Sequence, residues 1–142
     1  MKVDLMSALE ELVSTYGETG RDGMWPTRQQ WTAMLMAPHE GRVALHKFIA
    51  AGQMPSADEL AECVEGSAAL VAEYGAISLY EGDFEGVWIG DSDEQWSWIQ
   101  VMEFPNRESL VHFLLDPRYE AFAKLRERVV SRQKTIISRR PG

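Results

Sequence analysis

A chain of 142 residues, 45% hydrophobic and 25% charged, is long enough for one domain with its own core and has the balance of an ordinary globular protein. Its net charge of −8 excludes nucleic acid as the main partner, and no apolar run approaches the ~20 residues of a membrane-spanning helix. The single cysteine, Cys63, rules out an intramolecular disulfide and suits a reducing cytoplasm, an expectation that fits an N-terminus (MKVDLMSALEEL) unlike a signal peptide. Charge is uneven: Arg118 to Arg140 holds eight basic residues against Glu120 and Glu127, a net +6 that leaves −14 elsewhere. A solvated helix face with a basic last turn accounts for it.

In chain order, the first predicted helix runs from Asp4 to Tyr16, with Leu5, Leu9, Leu12, Val13 and Tyr16 on one stripe, Asp4 as cap and Gly17 as stop. GETGRDGMWPT follows as a linker. Gln30 to Met36 is expected to be a strand stopped by Pro38, and GRVALHKFIAAG a short helix ending at Gly52. Ser56 and Glu59 form a capping-box pattern that opens a helix to about Tyr74, with Leu60, Val64, Ser67, Val71 and Tyr74 inward. AISLYEGDF is a strand, extended through GVWI if the intervening glycine is a bulge. DSDEQ is a polar turn.

A second strand, Trp96 to Phe104, alternates Trp98, Gln100, Met102 and Phe104 against Ile99, Val101 and Glu103. Asn106 caps a helix to about Leu115. In DPRYEAFAKLRERV, Asp116 is an N-cap and Pro117 takes the first helical position. Tyr119, Phe122, Leu125 and Val129 then face the core, Glu120 and Lys124 pair on the surface, and Arg126 and Arg128 point to water. A short strand, Thr135 to Ser138, closes the chain.

From Trp31 onward the order is strand, helix, strand, strand, helix, strand, the split βαβ or ferredoxin-like unit. Its helices cover one sheet face and leave the other bare, with either Ile99 and Val101 or Trp98 and Met102 upon it. A second copy of the sheet is the simplest cover, so a homodimer through sheet faces is expected. The fold class is α+β: residues 1–29 form an N-terminal helix and linker, and residues 30–142 a dimeric α+β barrel domain.

GRVALHKFIAA, EYGAISLYEGDFEGVWIGDSDEQW and VMEFPNRESLVHFLLDPRYEAFAKLRERVV together resemble a dimeric α+β barrel protein. More narrowly, the chain resembles the domain-of-unknown-function family numbered 1330 over roughly Trp31 to Ile137. The pair Phe104-Pro105 and Asp116-Pro117-Arg118-Tyr119 carries most of that likeness. The resemblance implies two ferredoxin-like units packed sheet to sheet. Its wider superfamily includes cofactor-free monooxygenases, cyclases and isomerases, and haem enzymes. It transfers no catalytic residue, because the nearer family has no agreed reaction. Tyrosines often found on the helix after the family's first strand are replaced here by Leu45 and Phe48.

Candidate chemistry is sparse. His46, read on the helix between Val43 and Ile49, is a candidate general base, and Glu103, among apolar neighbours, a candidate acid or base. A buried structural histidine and an arginine-paired glutamate are the plainer readings of both. Tyr80, Trp88, Trp98 and His112 are candidate ligand-binding residues, since aromatic walls suit a flat hydrophobic molecule. They suit packing equally. His39, Glu40 and His46 are poorly spaced for a metal, and neither a phosphate-binding glycine loop nor a serine nucleophile elbow is present. No cofactor is expected. Two readings stand: a small cofactor-independent enzyme of monooxygenase, cyclase or isomerase type on a hydrophobic small molecule, or a non-catalytic ligand-binding or dimerising module. Glu103 bridged to an arginine would favour the module.

Overall fold

The computed structural model describes residues 4–21, 23–51 and 57–140. The elements are α1 (Leu5–Tyr16), α2 (Arg28–Met36), β1 (Arg42–Ala51), α3 (Ala57–Glu73), β2 (Ile77–Asp83), β3 (Trp98–Phe104), α4 (Arg107–Leu115), α5 (Pro117–Val129) and β4 (Val130–Arg140). The strands form one antiparallel sheet in the order β2-β3-β1-β4. β1 and β3, joined through β2, therefore lie at the centre, as the ferredoxin-like unit requires. Among the described residues no helix is long and apolar enough to cross a membrane.

Local grammar produced most of the helices as read. Asp4 accepts from the Met6 and Ser7 amides to start α1, and the Gly17 amide closes it on the Val13 carbonyl. Asn106 accepts from the Ser109 amide at the start of α4. Asp116 accepts from the Arg118 amide, with Pro117 at the head of α5. The Glu120–Lys124 pair is present at 3.7 Å. Ser56 lies outside the described residues, as do the side chains of Glu59, Leu60, Cys63, Val64 and Val129.

Two early assignments are exchanged. Gln30 to Met36 is helix, not strand: Thr27 accepts from the Gln30 amide while the Gln30 side chain accepts from the Thr27 amide, a reciprocal cap. Trp31 and Leu35, four apart, then point into the core together. Conversely, GRVALHKFIAA is strand β1, not helix. Val43 and Leu45 face the core from one side of that strand, while Ala44, His46 and Phe48 occupy the other. A central strand is apolar on both faces, so its residues fit a helical period as well as an alternating one. The ferredoxin-like unit thus begins at Arg42, with α3 as its first crossover.

Smaller corrections follow from packing. GVWI does not extend β2; beyond Asp83, Phe84 bonds to the Ser97 carbonyl and the chain leaves the sheet. The last strand is longer than Thr135 to Ser138 because β1 pairs with it from Val130 to Arg140. Arg126 does not point to water: its guanidinium stacks 4.4 Å from the Trp25 ring.

One core joins all the helical layers to the sheet. Leu12 of α1, Leu35 of α2, Val43 of β1, Phe104 of β3 and Leu110 and Val111 of α4 are almost wholly buried within it. Tyr16 stacks on Trp25 at 4.5 Å, and burial pushes its hydroxyl pKa upward. Arg107, also buried, donates to the Pro38 and Met34 carbonyls at 3.0 and 3.1 Å, fastening the end of α2 to the start of α4. Burial lowers its pKa, with the Arg139 charge adding to the effect.

Candidate functional site

The side of the sheet away from the core carries the chemistry. Register fixes its membership: Ala44 lies opposite Glu103, His46 opposite Val101 and Phe48 opposite Ile99. Across β1, the same three residues face Ser138, Ile136 and Lys134 of β4. Tyr80 of β2 lies opposite Val101. Of the two faces open to choice, Ile99 and Val101 are therefore on the bare one, and Met102 is in the core.

Glu103 is 4% exposed yet sits on this bare face. Two arginines roof it over: Arg140 Nη2 is 2.9 Å from Oε2, and Arg42 Nη1 is 3.6 Å from Oε1. Arg42 and Arg140 face each other across the β1–β4 pair, and Ala44, opposite Glu103, is the next residue of β1 on the same face. A methyl side chain there leaves room for both guanidiniums to lean inward. One strand position further, His46 Nε2 and Ser138 Oγ share a hydrogen bond of 2.7 Å. His46 is thus half-buried on a strand rather than on a helix as expected.

At the far end of the face Phe48 meets Trp96, ring centroids 6.0 Å apart, and Arg132 stacks 4.3 Å over Trp96. Lys134 pairs with Glu94 at 2.9 Å, so the loop before β3 folds over this end of the sheet.

The sequence-predicted residues separate accordingly. His46, Glu103 and Tyr80 share the open face, although the Tyr80 hydroxyl lies over Gly82, toward the strand end away from Glu103. Trp98 is on the opposite face, packed on Ile49 and Val130. Trp88 stands at a loop tip, 94% exposed, and His112 is exposed in the last turn of α4. They build no common wall. His39 caps the end of α2 by donating to the Leu35 carbonyl at 2.9 Å, remote in role from His46. Among the described residues no group of three or more His, Cys, Asp or Glu is placed to hold a metal ion.

Arg42, Arg140 and Ser138 were missed in the sequence. Alternation along β1 would have found the first, once that segment was read as a strand. Two small cavities, about 60 and 110 Å³, lie beside α1 and α5, with Thr15, Tyr16 and Glu120 lining both. Both are well below the ~300 Å³ of a typical ligand pocket. Neither includes a predicted site residue.

The family model for DUF1330, a domain of unknown function, matches residues 48–139. The chain belongs to this family. The DUF1330 match spans the sheet from Phe48 onward and both helical connections. Among curated proteins nothing matches. Solved structures similar to this DUF1330 chain include a protein of unknown function from Rhodopseudomonas palustris, 21% identical, covering 84% of this chain and 97% of that one, TM-score 0.74. A dabb family protein with a ferredoxin-like fold from Mesorhizobium loti is 16% identical over 72% of this chain and 100% of that one, TM-score 0.56. A dimeric ferredoxin-like protein of unknown function from Thermobifida fusca is 9% identical over 73% and 96%, TM-score 0.52. At such identities the likeness shows the fold alone, which is α+β and ferredoxin-like.

Proposed function

We propose that the protein is a non-catalytic homodimeric module of the α+β barrel type, two copies packing with their open sheet faces together. The observation that carries this reading is the apolar character of that face. Ile77, Tyr80 and Ile136 are 50%, 55% and 46% exposed, and Ile99, Val101 and Phe48 continue the surface between them. The whole face spans roughly 19 by 23 Å, and these apolar residues form its contiguous middle, with Arg42, Arg140 and Glu103 at one end and Lys134 at the other. A contiguous exposed apolar surface of this kind signals an interaction site. A second copy is the natural occupant, because a two-fold axis buries the same patch on both sides at once. The similar Thermobifida fusca protein, described as dimeric, lends support.

A proton-transfer role for His46 or Glu103 on a hydrophobic substrate has less behind it. The Glu103 carboxylate is taken up by two guanidiniums, the arrangement of a structural clamp. Having Cys63 as its one cysteine suits the protein to a reducing compartment such as the cytoplasm. Light scattering on the purified protein at tens of micromolar tests the dimer. Wild type should run at twice the chain mass and Val101→Lys, which places a charge on the central strand β3 in the middle of the face, as a folded monomer. A monomeric wild type would remove the proposal.

A further inference from the structure

The connection between β2 and β3 is far longer than its task requires. Residues 84–97 join two antiparallel neighbours, where about two to five residues suffice, and irregular loops of such length in compact domains usually carry a function. The return leg lies on the open-face side of the sheet: Trp96 meets Phe48, Arg132 stacks on Trp96, and Glu94 pairs with Lys134. The outgoing leg carries Trp88 and Ile89 at its tip, 94% and 83% exposed. Two adjacent large apolar side chains held in water contribute nothing to the packing of their own chain.

Charge indicates what covers the tip. Between Tyr80 and Ser97 stand Glu81, Asp83, Glu85, Asp91, Asp93 and Glu94, without a lysine or arginine. β4 carries Arg132, Lys134, Arg139 and Arg140, without an acid. β2 and β4 are the opposite edges of the sheet, so the acidic edge cannot reach the basic one within a single chain. When two sheets stack face to face, a two-fold axis parallel to the strands lays the β2 edge of each copy over the β4 edge of the other. An axis across the strands lays acid on acid and base on base. Attraction selects the first arrangement.

The same arrangement keeps the strand ends aligned. β2 ends where Asp83 meets Trp98, Trp98 meets Ile49, and Ile49 meets Gln133 near the start of β4. The loop thus leaves one sheet above the Arg132 and Lys134 end of the other. Stacked sheets lie ~10 Å apart, and the stretch of chain from Asp83 to Trp88 spans up to ~17 Å. The tip is long enough to cross the gap.

We infer that the 84–97 loop is an arm that clasps the second copy, with Trp88 and Ile89 seated beside its β4 and the loop's acids facing Arg132 and Lys134 there. The inference rests on the sheet-to-sheet dimer proposed above and adds a contact outside the sheet face. A lipid surface suits the tip poorly, because anionic headgroups repel the acids that flank Trp88. Two-fold symmetry supplies two such arms, so one substitution acts twice.

Sedimentation equilibrium of wild type and of Trp88→Ser with Ile89→Ser measures the dimer dissociation constant. The double substitution should raise it at least ten-fold, since a tryptophan buried on association is a common anchor. Made in the Val101→Lys monomer, the same pair should leave the urea midpoint unchanged, because the tip stands in water in a single chain. A loss of stability there shows that the tip packs on its own chain, and overturns the inference. A dimer indifferent to the loss of Trp88 and Ile89 means that the tip meets another partner or none, so the arm falls and the sheet-to-sheet dimer stands. A monomeric wild type removes both.

Discussion

Replacing Asp116 should loosen the whole helical layer, because this side chain joins three helices. Its amide closes α4 on the Phe113 carbonyl, and its carboxylate opens α5 by accepting from the Arg118 amide at 2.8 Å. The same carboxylate accepts from the Tyr74 hydroxyl at 2.6 Å, just past the end of α3, and from the Arg118 guanidinium at 2.8 and 3.1 Å. Asp116→Ala removes a helix cap, about 1 kcal/mol, and strands a half-buried tyrosine hydroxyl, about 1 kcal/mol more. The Arg118 guanidinium is itself largely exposed and keeps its pair with Glu73, so its bond to Asp116 adds little. The sum is about 2 kcal/mol. Asp116→Asn keeps a capping oxygen and an acceptor for Tyr74, and so should cost under about 1 kcal/mol.

Urea unfolding of the three proteins at one fixed protein concentration measures these differences, and pH adds an independent check. Hydrogen bonds from Arg118, first, and Tyr74 hold the Asp116 carboxyl well below its ordinary range. A depressed folded-state pKa contributes stability that is present above the unfolded value, about 3.9, and is lost as pH falls below it. The advantage of wild type over Asp116→Asn should therefore shrink between about pH 5 and pH 2. A gap that stays constant over that range, or an Asp116→Ala cost below about 0.5 kcal/mol, would refute the reasoning.

Two further substitutions test the frame around the open face. Gly41 precedes β1 at a φ of +84°, and a Cβ there would collide with the Arg140 carbonyl oxygen. Gly41→Ala should thus cost at least about 1–2 kcal/mol in thermal or urea unfolding, and a neutral result would mean that the β1–β4 end is not paired as described. Arg107→Met keeps the buried stem but removes the bonds to Met34 and Pro38. It should lower stability by about 2 kcal/mol and speed amide exchange at the end of α2, whereas unchanged exchange there would show that the carbonyls find water without loss.

What could be read from the chain, and what could not, divides by the distance over which each feature is decided. The caps at Asp4, Asn106 and Asp116 were legible because each is settled within three residues: a short polar side chain reaches an amide two or three positions on. β3 was legible because Met102 and Phe104 lie in the core while Val101 and Ile99 do not, which leaves a clean alternation. The exchange of helix and strand between Gln30 and Ala51 had a different origin. Thr27 and Gln30 carried a capping pattern as readable as that of Ser56 and Glu59. Read as a strand for its apolar residues alone, the segment leaves that cap unused. β1, flanked by strands on both sides, buries something on each face and so shows no preferred period.

That error had a cost at the site. With GRVALHKFIAA as a helix, Arg42 and His46 fall one turn apart and neither is placed relative to Glu103. With β1 as a strand, alternation alone puts Arg42, Ala44, His46 and Phe48 on one face, but it cannot say which residues lie beside them. Glu103 and Arg140 are brought there from far along the chain by pairing register. A slip of one residue would send all four to the core side. The clamp on Glu103 is therefore a property of register rather than of any local motif. Register here is held by burial: Val43 and Phe104, opposite each other and both fully buried, anchor the pairing that also sets Ala44 opposite Glu103 and brings that carboxylate to Arg42 and Arg140.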